Sequence, residues 1–354
     1  MSLPELFRVL IALAEADSNV AHILRTHFWF VEQQLQNPDP VSRSKWLNLV
    51  LEGKIFGNAI LESNNKPAGL FYEGGSMPGE KMEVFETKLI KARLGDGYVL
   101  NGTKYYSTGT LFADWIVVMA STDDGNLASV TIAADRKGVV RVDDWDGFGQ
   151  RLTGSGTTKF ENVIVHPDEV TDYGPPTTPQ PPNYLFAFVQ LYLQALTAGI
   201  LHHIRKDACA LIHRRTRAFS HSTTSVPARD PQILQVVGEI ASDAFAAEAI
   251  VIAAAEQLQA AADSVTDGKP DPELALQAQL AAACAKVAID RFSYQVASRL
   301  FDVGGASATR GSYNLDRHWR NIRTISTHNP TFAKATAIGN YFVNNVKLPL
   351  NGYF

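Results

Sequence analysis

The period of the apolar residues changes twice along this chain, and that constrains the fold more than any other feature. Residues 3–63 show the i, i+3, i+4 spacing of helices, for example at Leu6, Val9 and Leu10. From about residue 83 to residue 166 the period is 2, as in strands, and after a proline-rich segment it becomes helical again. The sequence therefore predicts helices, then a small β domain, then a helical bundle.

Short strands and long helices are predicted within these zones. Turn dipeptides such as Asn101-Gly102 separate the strands, which favours a small antiparallel barrel or sandwich. The predicted strands are Tyr98–Leu100, Trp115–Ala120, Ser129–Ala133 and Thr157–Val165. The long helices are predicted at Leu185–Arg217, Pro231–Ala262 and 272–301. Their lengths suit an antiparallel four-helix bundle whose fourth helix comes from the final segment.

These patterns divide the chain into four segments. An N-terminal helical domain is expected at 1–63, and a β domain with a preceding glycine-rich lid loop at 64–170. Five prolines between residues 171 and 183 predict a linker without regular structure. The C-terminal helical bundle is expected at 184–354.

Composition narrows the class of protein. With 45% hydrophobic and 19% charged residues, the 354-residue chain has the make-up of a soluble globular protein. A net charge of -4 predicts no general attraction to nucleic acid or anionic membranes. We expect a cytoplasmic protein, because the start lacks a signal-peptide pattern and no run of about 18 apolar residues suggests a membrane span. Cys209 and Cys284 lie in alanine-rich helical patterns and are expected to be buried free thiols.

Five motifs occur in a fixed order along the chain. They are Leu100–Thr108 (Leu-Asn-Gly-Thr-Lys-Tyr-Tyr-Ser-Thr), Ala113–Trp115, Gln150–Thr157, Leu300–Gly305 and Asp316–Asn321. In this order they resemble the acyl-CoA dehydrogenase family over nearly the whole chain, with Asn321 in place of the aspartate that ends the last motif in the family. The resemblance implies an α+β fold with an N-terminal helical part, a central small β-barrel or sandwich and a C-terminal four-helix bundle. Members usually have another helix or so at the start, so the resemblance implies either a trimmed start or a missing first helix here.

Further segments resemble one branch of that family, the two-component flavin-dependent monooxygenases similar to dibenzothiophene monooxygenase. They are Ala16–Asn19 with Arg25 and His27, Arg151–Thr158, and His328–Pro330. The resemblance implies an enzyme that receives reduced flavin, FMN or FAD, from a separate reductase. It implies oxygenation through a C4a-(hydro)peroxyflavin with O2 as co-substrate, and assembly as a homotetramer.

The catalytic candidates are His328, Asn329 and His27. Asn329 aligns with the stretch in which the dehydrogenases keep a catalytic glutamate, and an amide cannot act as a base near neutral pH. A histidine near its unperturbed pKa, such as His328, can donate to a peroxide and shuttle a proton. His27 resembles a pocket histidine of the branch. The alternatives are that His328 satisfies the last loop and that His27 lies on a helix surface or between helices.

Hydroxyl and guanidinium side chains are the cofactor-binding candidates. Hydroxyls beside glycines can approach a planar ring and its polar atoms, and the residues of this type are Ser107, Thr108, Thr153 and Ser155. Arginines suit phosphate, and the candidates are Arg215 and Arg217 by resemblance, with Arg320 and Arg323 as further candidates. Polar strand positions and solvated or subunit-interface charges are the alternative interpretations.

The substrate and the reaction stay open. Aromatic pocket candidates are Phe28, Trp29, Phe30, Phe71, Tyr72 and Phe148. A small organosulfur compound, similar to dibenzothiophene or a sulfone, is the first expectation, followed by N-hydroxylation of an amine or amino sugar and by aromatic hydroxylation. An acyl-CoA dehydrogenase with a relocated base and a non-catalytic flavin-binding relative are the other classes. The sequence contains no Gly-x-Gly-x-x-Gly fingerprint and no His-Glu-x-x-His, and no metal is expected.

Overall fold

The chain follows the predicted order of helices, strands and helices. The computed structural model describes residues 1–63, 85–93, 95–175, 183–349 and 354. The N-terminal helices are α1 (Leu3–Ala16), α2 (Ser18–Ile23), α3 (Arg25–Leu35) and α4 (Pro40–Leu51). The strands are β1 (Phe56–Ala59), β2 (Lys88–Lys91), β3 (Tyr98–Lys104), β4 (Trp115–Thr122), β5 (Leu127–Ala133), β6 (Val139–Arg141), β7 (Thr158–Val165) and β8 (Val170–Gly174). The C-terminal helices are α5 (Tyr184–Arg214), α6 (Pro231–Asp263), α7 (Pro272–Gly304), α8 (Arg317–Ser326) and α9 (Thr331–Asn344).

Aspartate-proline pairs begin the long helices α6 and α7, as their sequence predicts. The carboxylate of Asp230 accepts the N–H of Gln232 at 2.9 Å, and that of Asp271 accepts the N–H of Glu273 at 2.9 Å. Proline follows each aspartate at the first helical position, where no backbone donor is needed. These two caps fix where the bundle helices start.

Four short strands, β1, β2, β6 and β8, were not predicted, and two of them, β1 and β8, lie outside the zone of period 2. Strand β1 lies in the zone predicted to be helical, and β8 occupies the start of the predicted 171–183 linker. Each is specified by its partner, since β1 pairs in parallel with β4 and β8 pairs antiparallel with β5. The lid loop, with Phe71 and Tyr72, and residues 176–182 of the linker lie outside the described residues.

The β domain expected from the sequence is present as one eight-stranded sheet that is mostly antiparallel. Its order is β6-β7-β3-β2-β4-β5-β8, with β1 also paired to β4. Strand β4 pairs in parallel with β1 along its first half and in parallel with β2 near its end. Its core contains Leu100, Ile116 and Val163, each with no exposed surface.

Helices α5, α6 and α7 form the centre of the bundle. The final segment was expected to supply the fourth helix, and its helices α8 and α9 do pack on α7. In addition, α1 from the N-terminal domain packs on α5 and α6. The apolar side chains of α1 and α5 fill one core, in which Phe7 contacts Phe188 edge to face at 5.5 Å. The N-terminal domain is therefore packed against the bundle.

Helix α5 is apolar along most of its length. Contrary to the sequence analysis, it is long and apolar enough for a membrane span, with a mean hydropathy of 1.6 in its most apolar window. However, 89% of that window is buried inside the fold. Burial on several sides by α1, α6 and α7 accounts for this composition.

The two cysteines are unpaired, but both are exposed, so the expectation of buried thiols was wrong. Alanine-rich helices have a buried face made of alanines, and Ala208 and Ala283 occupy it next to Cys209 and Cys284. The cysteine that follows each buried alanine therefore points away from the core.

A glycine joins the β domain to the bundle. Gly149 lies in the loop between β6 and β7, and a Cβ atom there would be 2.1 Å from the carbonyl oxygen of Arg320 and 2.6 Å from Thr324 Oγ1. Because the nearest obstacle is backbone, it cannot rotate away. This close approach sets how the loop lies on α8.

We therefore expect Gly149→Ala to separate the loop from α8 and to lower the melting temperature, at a cost of about 1–3 kcal/mol for overpacking. Gly238→Ala in α6 is the matched control, because nothing lies within 4 Å of its Cβ position. That control should be neutral or stabilising by up to about 1 kcal/mol, as for alanine in a helix. Equal melting temperatures for the two variants would contradict the close-contact argument.

Candidate active site

A buried corner forms where α2, α3 and α8 meet the loop between β6 and β7. His22 of α2 is 7% exposed, and its Nδ1 lies 3.0 Å from Gln150 Oε1. Arg25 of α3 donates from Nε to the carbonyl of Val189 at 3.1 Å, and its Nη1 lies 3.3 Å from Nε2 of His328. The corner thus brings two histidines and one arginine together from segments far apart in sequence.

His328 is neutral near pH 7 in this arrangement. Burial by surrounding protein is the main cause that lowers its pKa well below 6.5, although the residue is exposed at the surface of the single chain. The positive charges of Arg25, His22, Lys286 and Lys334 lower that pKa further. The expectation of a histidine near its unperturbed pKa was therefore wrong.

The position of the proton on His328 follows from its partner. An arginine guanidinium can only donate, so Nε2 of His328 accepts from Arg25. A neutral imidazole has one N–H, which must then be on Nδ1. His328 can donate through Nδ1 and not through Nε2.

Asn329 lies beside the corner with 4% of its surface exposed. Its Nδ2 donates to Gln190 Oε1 of α5 at 2.6 Å. This hydrogen bond fixes the loop between α8 and α9 on the bundle and so holds the neighbouring His328. The structure places Asn329 as a support of the site, and its direct catalytic role stays a prediction.

His27 lies apart from this group. Its ring stacks at 6.1 Å on Phe56 of β1, and its Nδ1 is buried without a hydrogen-bond partner among the described residues. Burial lowers its pKa. The structure therefore joins His22 to Arg25 and His328, and the sequence analysis did not select His22. The i, i+3 spacing of His22 and Arg25 was the available signal, since residues at this spacing share a face of a predicted helix, although the structure divides them between α2 and α3.

The hydroxyl candidates do come together. Thr108 Oγ1 lies 2.8 Å from Ser155 Oγ, and Thr153 Oγ1 lies 2.7 Å from the same atom. The backbones of the two segments are also joined, through Ser107 N–H to the carbonyl of Gly156 at 3.0 Å. Residues predicted from separate motifs thus form one surface beside the histidine corner.

This surface fits a flavin ring. Ser107 Oγ is buried without a partner among the described residues, so it retains its hydrogen-bonding capacity. Gly154 has φ of +58°, a backbone conformation that side chains rarely adopt. Nearby, Phe148 and Trp319 stack at 6.1 Å and remain 52% and 40% exposed, which gives aromatic surface for a planar ligand.

The four arginine candidates are not gathered at one point. Arg215 donates to the carbonyl of Val303 at 2.8 Å and caps the end of α7, and Arg217 is exposed. Arg320 bonds to Asp316 at 2.9 Å and to the carbonyl of Phe148 at 3.0 Å. Arg323 donates to the Tyr294 hydroxyl at 3.0 Å. Arg320 and Arg323 thus have structural partners, and their phosphate roles stay predictions.

A second polar group ties α5 to α8. His203, Asp207 and His318 place possible metal-ligating atoms within 4.8 Å of one another. Arg317 donates to Asp207 at 2.6 Å and lies 3.2 Å from His203 Nε2. Burial would raise the pKa of Asp207, but the hydrogen bond from His318 and the charge of Arg317 outweigh it and lower the pKa to about 2. The guanidinium already neutralises this carboxylate, so we assign the group to packing.

Comparison with known families agrees with this geometry. Residues 75–163 match the model described as acyl-CoA dehydrogenase, middle domain, and residues 194–331 match acyl-CoA dehydrogenase, C-terminal domain. Together the two matches cover more than half of the chain. The protein belongs to the acyl-CoA dehydrogenase family, as its motifs predicted.

Individual relatives narrow the assignment to a branch. Dibenzothiophene monooxygenase of Mycolicibacterium goodii is 28% identical, with 99% of this chain and 82% of the relative aligned. A probable FMNH2-dependent monooxygenase of Pseudomonas putida is 27% identical over 98% of this chain and 82% of the relative. The FMN-bound structure of TdsC from Paenibacillus sp. A11-2 superposes with a TM-score of 0.86 at 26% identity, over 100% of this chain and 87% of that one. The chain is a flavin-dependent monooxygenase of the branch that resembles dibenzothiophene monooxygenase.

The low pKa of His22 makes stability depend on pH. Burial is the largest cause and the charge of Arg25 the next, and they lower the pKa from 6.5 to about 4 despite the hydrogen bond to Gln150. Between these values the unfolded state binds a proton that the folded state does not, so stability is complete above pH 6.5 and falls as the pH drops toward 4. The contribution is at most about 3 kcal/mol.

We expect His22→Asn to remove this part of the acid sensitivity, because the asparagine amide can still donate to Gln150 but does not titrate. Urea unfolding at pH 7 and pH 5 measures the loss of stability in each protein. The loss should be smaller in the variant, with a remainder from His27, His318 and His328, because burial lowers the pKa of each. An identical loss in both proteins would show that His22 does not titrate as described.

Proposed function

We propose that the chain uses FMNH2, supplied by a separate reductase, to oxygenate a small organosulfur compound. The observation that carries this proposal is the Arg25–His328 pair, held beside a hydroxyl-lined loop that fits a flavin. The relative from Mycolicibacterium goodii carries the name dibenzothiophene monooxygenase, which supports sulfur as the oxygenated atom. The flavin is proposed to be FMN, because TdsC binds it.

The residues that would hold the flavin are those of the hydroxyl surface. Ser107 and the backbone of the 153–156 segment would address the polar edge of the ring, and Phe148 would cover part of its plane. Arg215 and Arg217 remain the proposed partners of the phosphate, since each has donors for which the described residues show no acceptor. The bound, reduced flavin supplies the electrons that activate O2.

The protein residues of the corner control protons and charge. Arg25 fixes the ring of His328 and keeps its N–H on Nδ1, so that His328 can act as a donor only through that atom. His22 has a neutral ring and can take up a proton when one is released. Arg25 also stabilises negative charge that develops on oxygen, because it is permanently charged and partly buried.

We expect His328→Ala to keep the fold but to uncouple the reaction. Without the donor, reduced flavin should be consumed with release of hydrogen peroxide in place of oxygenated product. The ratio of product to FMNH2 consumed should fall by about 100-fold or more, the range for loss of a general acid or base. Product and peroxide are measured together, with an independent flavin reductase as the source of FMNH2.

His166→Ala is the matched histidine control. His166 follows β7 at the end that pairs with Tyr98, away from the end that leads to Ser107. The His166→Ala variant should keep the wild-type ratio of product to FMNH2 consumed. Normal coupling in His328→Ala would remove His328 from the mechanism.

A substrate panel tests the finer part of the proposal. Dibenzothiophene-like sulfides, sulfones, amines and amino sugars are offered to the enzyme with FMNH2, and coupled product formation is compared. We expect the highest coupling with an organosulfur compound. N-hydroxylation remains the second candidate, and higher coupling with an amine would overturn the sulfur assignment while leaving the monooxygenase intact.

We also propose a homotetramer in the cytoplasm. Large apolar side chains on α9 are exposed in the single chain, and Phe332, Phe342 and Val343 are 77%, 69% and 81% exposed. A second copy of the chain would cover them, since single chains rarely leave such groups in water. Light scattering of the purified protein gives its mass, and a monomer would contradict this assembly.

A further inference from the structure

Gln150 has an unusual backbone conformation at the centre of the site. It has φ of +50°, which is uncommon for a residue other than glycine, and only 1% of its surface is exposed. Such a conformation costs about 1–3 kcal/mol and persists when surrounding contacts require it. The contacts of Gln150 therefore indicate which role requires this backbone conformation.

Every polar group of Gln150 has a partner. Its N–H donates to Asn321 Oδ1 at 2.8 Å, and its carbonyl accepts from Trp145 Nε1 and Thr153 Oγ1, each at 2.9 Å. Its side-chain Nε2 donates to Ser18 Oγ at 2.9 Å, which leaves Oε1 facing His22 Nδ1 at 3.0 Å. One residue thus connects the β domain, α2 and α8.

The orientation of the neighbouring amide follows from the backbone. Because the N–H of Gln150 can only donate, Asn321 must present its oxygen there, and its Nδ2 then points to Ser18 Oγ at 3.4 Å. The Gln150 amide donates to the same hydroxyl over a shorter distance. Because Nε2 of Gln150 points to Ser18 Oγ, its Oε1 points to His22.

An oxygen can only accept, so the proton of a neutral His22 must be on Nδ1. The other nitrogen, Nε2, then carries a lone pair. The positive charge of Arg25 lowers the pKa of His22 further, which favours the neutral ring. From these contacts we propose that Gln150 is a positioning residue that fixes the Nδ1–H tautomer of His22 and presents its Nε2 as a proton acceptor in the active site.

The inference deepens the proposed function, since it divides the work between the two histidines. His328 uses its Nε2 to accept from Arg25 and keeps Nδ1–H as a donor. His22 uses its Nδ1–H on Gln150 and keeps Nε2 as an acceptor. Two neutral rings thus offer one donor and one acceptor, which a proton transfer between oxygen and protein requires.

The test uses the full-length protein without flavin or substrate, so that failure of the proposed function does not affect it. Histidines are labelled with ¹⁵N, and the His22 ring is assigned by its loss in His22→Asn. The nitrogen shifts near pH 7 report which ring atom carries the proton. We expect Nδ1–H in the wild-type protein, and Nε2–H would overturn the proposal.

Two substitutions distinguish the effect of the Gln150 side-chain amide from the effect of its backbone hydrogen bonds. Gln150→Gly tolerates the positive φ and retains the backbone N–H and carbonyl contacts, but it removes the acceptor, so His22 should lose its preference for Nδ1–H. Gln150→Glu retains an acceptor at His22, so it should keep Nδ1–H and raise the His22 pKa. Asp267→Gly is the matched control, because Asp267 also has φ of 50° but lies in the exposed turn between α6 and α7.

Kinetics provide a second readout. Gln150→Gly should lower kcat by about 10–100-fold, the range for residues that orient functional histidines, with little change in the KM for FMNH2. Gln150→Glu should recover part of kcat and shift its pH profile. An unchanged His22 tautomer in Gln150→Gly, or equal kcat in Gln150→Gly and Asp267→Gly, would overturn the positioning role.

Discussion

The contact between the loop at Gly149–Gln150 and helix α8 holds the active site together. The β domain carries the hydroxyls that we propose hold the flavin, and the bundle carries His328, so the proposed site requires a fixed distance between the two. That distance is set by the absence of a side chain at Gly149, which lets the loop reach the carbonyl of Arg320. It is secured by the hydrogen bond from the Gln150 N–H to Asn321 at 2.8 Å. Helix α2 joins the same contact through Ser18.

Much of the fold could be predicted because it depends on local patterns. The change of period located the β domain, and the Asp230-Pro231 and Asp271-Pro272 pairs located the starts of α6 and α7. Strands β1 and β8 were missed because their pairing with β4 and β5, and not their own sequence, makes them strands. The two parallel pairings on β4 were not foreseen either, since register between distant strands has no local signal.

The site was predicted less completely, because its residues come from segments that lie far apart in the sequence. Ser107, Thr108, Thr153 and Ser155 lie in two glycine-containing motifs, and their type was enough to select them. His22 was passed over for His27 because both look alike in sequence, and only the fold shows that His22 lies close enough to His328 for its charge to lower the pKa of His328. The pKa of His328 could not be foreseen either, because it depends on burial and on positive charges from α3, α7 and α9.

Asn321 shows how one substitution in a family pattern can serve a different chemistry. It stands where the family resemblance expects an aspartate, in the segment Asp316–Asn321. A carboxylate at this position could accept the Gln150 N–H but could not donate to Ser18. It would also place a negative charge within the hydrogen-bond network that ends on His22, which favours a protonated ring. The neutral amide accepts and donates at once, so the network reaches His22 without charge and leaves its Nε2 free to take up a proton.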